Sequence, residues 1–256
     1  VANNSVDITS VAKNVQYPCV IKPSFRTPTW DKTNPDKAFK VFSEEQLINV
    51  YKNKSILTTK FIIQEWIPGA DSEVYFCLLW YNALSEPIAS FTGRKVMQWP
   101  PEMGSTCIAE SWQSDPLLNR SINLFDAVQY KGIGSVEFKR DPRDSVFKIT
   151  EPTVGRVDLQ SEIAYYSGVN IPLLEYCDCS GFELPESVNQ NRKIYWINEE
   201  NLFWLLANQK DRYSLKECLK PIRNRRAYAF FDPFDIKPFF MFLRWIAGRL
   251  GQKLKR

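Results

Sequence analysis

The sequence predicts an α+β fold arranged as two lobes. Strand-like and helix-like segments are mixed along the chain without the strict β-α-β alternation of a doubly wound sheet. Paired strand runs separated by short polar turns point to antiparallel sheets. The length of 256 residues suffices for one large domain or two smaller lobes with a real core.

The elements follow in order. Tyr17–Lys22 reads as a short buried strand that ends at a lysine and a proline. A polar loop covers Ser24–Lys37. Ser43 then caps a helix from Glu44 to Tyr51, with Leu47, Ile48 and Val50 apolar. Phe61–Ile67 is a strand stopped by Pro68-Gly69. Val74–Tyr81 and Pro87–Gly93 are strands joined by a turn. Asp115 opens an amphipathic helix to about Tyr130. Ile133–Lys139 and Val146–Glu151 form a hairpin across the turn Asp141–Ser145. Leu159–Tyr166 is a helix closed by Gly168. A change to basic, aromatic sequence sets a boundary near Ser180. The expected division is a small lobe over about 15–80, a large lobe over about 81–180, and an extension over 181–256 on or after the large lobe.

Composition narrows the chemistry. The chain is 44% hydrophobic and 24% charged, as ordinary globular proteins are. Its net charge of +4 gives no argument for nucleic acid. It has no histidine, so carboxylates, lysine, arginine and backbone must carry any reaction. Six cysteines lie at 19, 77, 107, 177, 179 and 218 with no Cys-x-x-Cys spacing. They read as reduced thiols of a cytoplasmic protein. The sequence shows neither a signal peptide nor a membrane-spanning run. The polar first stretch, Val1–Val15, has no start methionine and reads as the interior of a longer protein.

Three features carry site chemistry. Lys22, at a strand end, can aim an ammonium at phosphate oxygens or at water. Gln64-Glu65-Trp66-Ile67 leaves its strand into Pro-Gly. It can offer backbone N–H and C=O to an adenine beside Trp66 and Ile67, or be a plain corner; Glu73 beyond it can accept from ribose hydroxyls. Glu137 and Glu151 end the two strands of the hairpin, with Thr153 and Arg156 following. Paired carboxylates hold Mg²⁺ against a triphosphate. Strand periodicity puts Glu151 and Thr153 on one face. Glu137 joins them only if it pairs with an odd-numbered residue such as Ile149 or Glu151; a one-residue slip separates the carboxylates.

Tyr-Pro-Cys-Val-Ile-Lys-Pro, Gln-Glu-Trp-Ile-Pro-Gly, Gly-Arg-Lys, Val-Glu-Phe and Ile-Thr-Glu-Pro-Thr, in this order, resemble the ATP-grasp superfamily. The branch is that of the carboxylate–amine ligases, similar to D-aspartate ligase and the large subunit of carbamoyl phosphate synthase. The likeness covers about residues 10–175. It implies an ATP-grasp fold with the nucleotide cleft between antiparallel sheets, and ATP and Mg²⁺ (or Mn²⁺) as cofactors. It assigns Lys22 to the α- and β-phosphates, Gln64, Glu65, Trp66 and Ile67 to adenine, and Glu73 to ribose. Lys95 matches a γ-phosphate contact, Arg156 the arginine near the γ-phosphate or acyl phosphate, and Glu137 and Glu151 the magnesium ligands. The Gln98–Thr106 loop could cover the phosphates. The family usually carries asparagine two residues after the second glutamate. Here Thr153 stands there, and its hydroxyl ligates magnesium more weakly than an amide. The family's N-terminal domain and a first phosphate lysine are not visible in this segment.

The implied partners are a small-molecule carboxylate and an amine. The implied reaction is ADP-producing C–N bond formation. A nucleotide-binding module that does not ligate is the alternative, and a phosphate- or nucleic-acid-binding scaffold is a third, argued only by the basic C-terminus. Residues 237–256 carry Lys237, Arg244, Arg249, Lys253, Lys255 and Arg256 with no acidic residue, interleaved with apolar residues at helical spacing. Such a helix packs on the body, or lies on an anionic membrane or a partner; Arg223, Arg225 and Arg226 add to the basic side.

Overall fold

The computed structural model describes residues 2–3, 8–34, 37–58, 60–156, 159–185, 193–208, 213, 221 and 225–253. Arg223, Cys218, Leu254, Lys255 and Arg256, singled out above, lie outside the described residues. The chain divides into two compact units, Val1–Pro68 and Gly69–Arg256.

The first unit is a four-stranded sheet of β1 (Ala2–Asn3), β2 (Cys19–Pro23), β3 (Phe39–Val41) and β4 (Lys60–Glu65), in the order β1-β4-β2-β3 and antiparallel throughout. Helices α1 (Ile8–Asn14), α2 (Pro28–Thr33) and α3 (Glu44–Lys54) belong to the same unit. Alternation along the strands sends Cys19, Ile21, Val41 and Phe61 into one core with Ala12, Trp30 and Leu47 from the helices. Ser43 caps α3 by accepting from Gln46 N–H, as its position before the apolar run predicts. The Ser24–Lys37 segment, expected as a loop, holds α2. Thr27 accepts from Trp30 N–H and Pro28 takes the first turn, where no N–H is needed. Complete burial of Trp30 supplies the tertiary stabilisation that so short a helix needs.

The second unit is built on a seven-stranded sheet. Its strands are β5 (Val74–Tyr81), β6 (Pro87–Trp99), β7 (Ser105–Ser111), β8 (Gly132–Arg140), β9 (Phe147–Val154), β10 (Tyr195–Ile197) and β11 (Arg226–Tyr228). Their order is β11-β10-β7-β6-β5-β8-β9, antiparallel except for the β10–β11 pair. Every residue of central β5 is buried. Phe76, Leu78 and Trp80 pack on one face with α5 (Ser161–Tyr166) and α6 (Ile171–Ser180). Tyr75, Cys77, Leu79 and Tyr81 pack on the other with Leu117 and Phe125 of α4 (Asp115–Asp126). Helices α7 (Glu199–Asn208) and α8 (Lys237–Lys253) belong to the same unit.

Two expected boundaries move. The division falls at Pro68-Gly69 and not near residue 80, because β5 hydrogen-bonds along its length to β6 and β8 and so belongs to the larger sheet. The segment after 180, expected as an extension on or after the large lobe, enters its sheet: β10 pairs with β7 and β11 with β10. The free cysteines are buried at Cys19, Cys77 and Cys107, half-buried at Cys177 and exposed at Cys179. Burial pushes the Cys77 thiol up to about 12, and among the described residues no helix is long and apolar enough to cross a membrane.

The Gln98–Thr106 segment is a tight hairpin, not an open flap. Gln98 and Thr106 are buried in β6 and β7, which leaves a turn over Pro100–Gly104. Buried Asp71 accepts from Gln98 Nε2 at 2.8 Å, Glu102 N–H at 2.9 Å and Tyr213 Oη at 2.5 Å, and pins that turn. A Cβ at Gly104 would run into the backbone of Trp99 and Pro100, which cannot move aside as a side chain would. Gly104→Ala is therefore expected to cost about 3 kcal/mol or more, read as a lowered urea midpoint at unchanged m-value.

Candidate active site

One sheet face of the first unit carries polar residues beside Val20 and Ile62. Val20 lies opposite both Lys40 and Gln64, and Lys22 lies opposite Ile62. Residues opposite one another share a face, so Lys22, Lys40 and Gln64 stand together on the side away from the apolar core. Lys22 is half-buried and has no ion-pair partner among the described residues. Glu65 closes β4, and Trp66 N–H donates to Pro18 O at 3.2 Å, which fixes the irregular segment that leaves the strand toward Ile67 and Pro68. The Lys40 ammonium lies 4.0 Å from the centroid of the Trp66 ring. The sequence reading missed Lys40. Its strand has only three residues, too few to show a period, and the one available signal was its place between the loop and the Ser43 cap.

In the second unit Glu73 ends a single 3-10 turn, Asp71–Glu73. The turn is held at two points. Asp71 grips the β6–β7 hairpin, and buried Lys139 donates to Gly69 O at 3.0 Å. Glu73 is half-buried at the head of β5.

The hairpin β8–β9 answers the register question. Glu137 lies directly opposite Glu151, and Ser135 lies opposite Thr153. This pairing depends on a β-bulge. Phe138 pairs with Ile149, so an unbroken ladder would set Glu137 against Thr150 and send Glu151 to the other face. The register shifts between Glu137 and Phe138, and Thr150 is the extra residue. Its hydroxyl donates to Glu137 O at 3.0 Å and lies 3.4 Å from Glu137 Oε1, which fills the disrupted step of the ladder. The turn at the far end is fixed by Asp141, which accepts from Arg143 N–H and its guanidinium; that hydrogen-bonding holds the carboxyl down at about 2.

Lys95 reaches this pair from two strands away. Gly93 and Glu137 both lie opposite Phe76, so Gly93, Lys95 and Glu137 share a face. The Lys95 ammonium is buried and sits 2.5 Å from Glu137 Oε2. Its neighbour Arg94 faces the other side, where it pairs with buried Glu110 and lies over the Trp112 ring. Of the two cations in Gly-Arg-Lys, only Lys95 is on the carboxylate face.

The structure thus brings Lys95, Glu137, Glu151 and Thr153 together on one sheet face. Arg156 is exposed beyond the end of β9, past Gly155. Lys22, Gln64, Glu65, Trp66 and Ile67 belong to the first unit. The donors on the second unit are hard oxygens, which suits magnesium. Among the described residues no group of three or more His, Cys, Asp or Glu could hold a metal. Two carboxylates with one hydroxyl are a partial donor set, of the kind completed by water and substrate phosphate oxygens rather than a closed protein cage.

No protein-family model matches the sequence, and comparison with curated proteins returns no match. Solved structures do match in fold. The ADP complex of an N5-carboxyaminoimidazole ribonucleotide synthetase superposes with a TM-score of 0.57 at 13% identity, over 79% of this chain and 52% of that one. Biotin carboxylase from Campylobacter jejuni, in a complex with β,γ-ATP, gives 0.54 at 16% identity, over 70% and 40%. The N5-carboxyaminoimidazole ribonucleotide synthetase of Thermotoga maritima gives 0.52 at 12%, over 75% and 46%. The chain spans about half or less of the length of these structures. The fold is the ATP-grasp fold.

Proposed function

We propose that this chain is the ATP-binding part of an ATP-dependent ligase that activates a carboxylate as an acyl phosphate and couples it to an amine or similar nucleophile. The observation that carries the reading is the direct pairing of Glu137 with Glu151, with Thr153 and the Lys95 ammonium on the same face. The fold supports it.

In this reading the Gln64–Ile67 strand end offers backbone groups to the adenine, and Glu73 accepts from the ribose hydroxyls. Lys22 sets a positive charge against the α- and β-phosphates. Glu137, Glu151 and Thr153 would hold Mg²⁺. When bound, the cation would neutralise negative charge on the nucleotide's phosphate groups. The substrate carboxylate oxygen forms a bond to the γ-phosphorus as the bond to the ADP oxygen breaks. The amine then attacks the acyl carbon, inorganic phosphate leaves, and the amine proton passes to solvent. Lys95 and Arg156 offset negative charge on the transferred group. No step needs a side-chain nucleophile, which suits a chain without histidine; the protein acts by positioning and charge.

Thr153, in the place where the resemblance leads one to expect asparagine, favours one second reading: a domain that binds the nucleotide without turning it over. Phosphate release across a panel of amino acids and sugar acids paired with amines, each with MgATP, separates the two. Release that depends on both the acid and the amine supports the ligase, and nucleotide binding without release supports the module. In either case Lys22→Ala removes a charged phosphate contact worth about 1.5–3 kcal/mol. It should raise the ATP dissociation constant about 10- to 100-fold by titration calorimetry; an unchanged constant removes Lys22 from the site.

A further inference from the structure

We propose that the outward face of α8 is a docking surface for an anionic lipid bilayer. The helix spans seventeen residues, Lys237–Lys253. Its inner face is accounted for. Phe242 and Ile246 are buried, and Phe242 stacks on Phe230 with ring centroids 4.9 Å apart. A helix packed in this way should turn polar residues outward. This one does not. Lys237, Phe240, Met241, Arg244 and Gly248 fall on one side at helical spacing, and all are exposed, Phe240 at 60% and Met241 at 73%. Phe234, just before the helix, is 99% exposed.

The charges select the occupant. Exposed Lys237 and Arg244 lie on this sector, and the sequence from 237 to 256 has no acidic residue to offset them. The two carboxylates just upstream are turned onto the backbone: Asp232 accepts from Phe234 N–H at 2.8 Å and Asp235 from Lys237 N–H at 3.2 Å. Two such faces brought together would set cation against cation, so a second copy of the chain fits poorly. Large apolar side chains intermixed with arginine and lysine on one exposed sector are the chemistry of a helix lying in a lipid headgroup layer. Arg249, 4.3 Å from the Trp245 ring centroid, adds an exposed cation on the flank of the helix. Among the described residues no helix is long and apolar enough to cross a membrane, so the helix lies on the bilayer.

The test is co-sedimentation of the full chain with phosphatidylcholine vesicles, with and without phosphatidylserine. Binding to the anionic vesicles that added salt reverses, with little binding to phosphatidylcholine alone, is the expected result. The double replacement Phe240→Ser and Met241→Ser should lower partitioning about tenfold or more. Arg244→Gln with Arg249→Gln should lower it about tenfold as well. All four side chains are exposed, so circular dichroism should show each variant as folded as the parent. Three results would overturn the proposal: a folded chain that stays in the supernatant with anionic vesicles, equal binding to neutral vesicles, or self-association in sedimentation velocity that the same Phe240 and Met241 replacements abolish while vesicles capture nothing.

Discussion

Replacing Glu151 by glutamine is expected to abolish magnesium-dependent ATP binding while leaving the protein as stable as before. The side chain is exposed on β9 and, among the described residues, makes no hydrogen bond or ion pair. Glutamine keeps its volume and strand geometry, and removes only the charge and one strong acceptor. Surface replacements of this kind change stability by about 0.5 kcal/mol or less. The effect on the cation is different. Among the described residues two carboxylates, Glu137 and Glu151, pair on this face, so losing one halves the formal charge that the pair offers to magnesium. Altering groups merely behind a metal ligand costs about 10–100-fold in affinity or activity, so altering a ligand should reach or pass about 100-fold. Calorimetric titration with MgATP, set beside ATP with a chelator, reads the effect. Unchanged magnesium dependence would remove Glu151 from the site, and a lowered melting temperature would show that its charge serves the fold instead.

Much of this geometry was legible in the residues, and what was hidden was hidden for physical reasons. The Glu137–Glu151 pairing was foreseeable as a condition, because strand periodicity states which registers put both carboxylates on one face. The bulge that satisfies the condition was not foreseeable. Thr150 carries no turn or glycine signal, and a bulge is a property of a strand pair rather than of one strand. Lys40 escaped because β3 is three residues long, too short to show a strand period. The helix α2 escaped because burial of Trp30 stabilises it, and burial is decided by tertiary structure. The membership of β10 and β11 in the larger sheet escaped for the same reason: each is a three-residue strand whose pairing spans a long separation along the chain.

Glu137 should behave unlike its partner, although the sequence gives the two glutamates one role. Its carboxylate meets the buried Lys95 ammonium at 2.5 Å and is itself only 32% exposed. Glu137→Gln would leave that ammonium buried beside a neutral amide. Breaking a fully buried ion pair costs about 3–5 kcal/mol; solvent reaches this carboxylate, and the expected loss is about 1–2 kcal/mol. The single replacement should therefore lower both stability and magnesium-dependent nucleotide binding. Adding Lys95→Met removes the stranded charge and keeps an unbranched chain in its place. The double variant should regain most of the lost stability and none of the binding. That pattern separates the two duties of Glu137, balancing Lys95 and offering oxygen to a cation. It also has a consequence for how the site fills. A cation arriving alone must compete with Lys95 for Glu137, whereas a nucleotide brings phosphate oxygens that can take over the lysine. Magnesium without nucleotide should accordingly bind the Lys95→Met variant more tightly than the parent, and equal affinities would show that the ion pair does not gate the carboxylate.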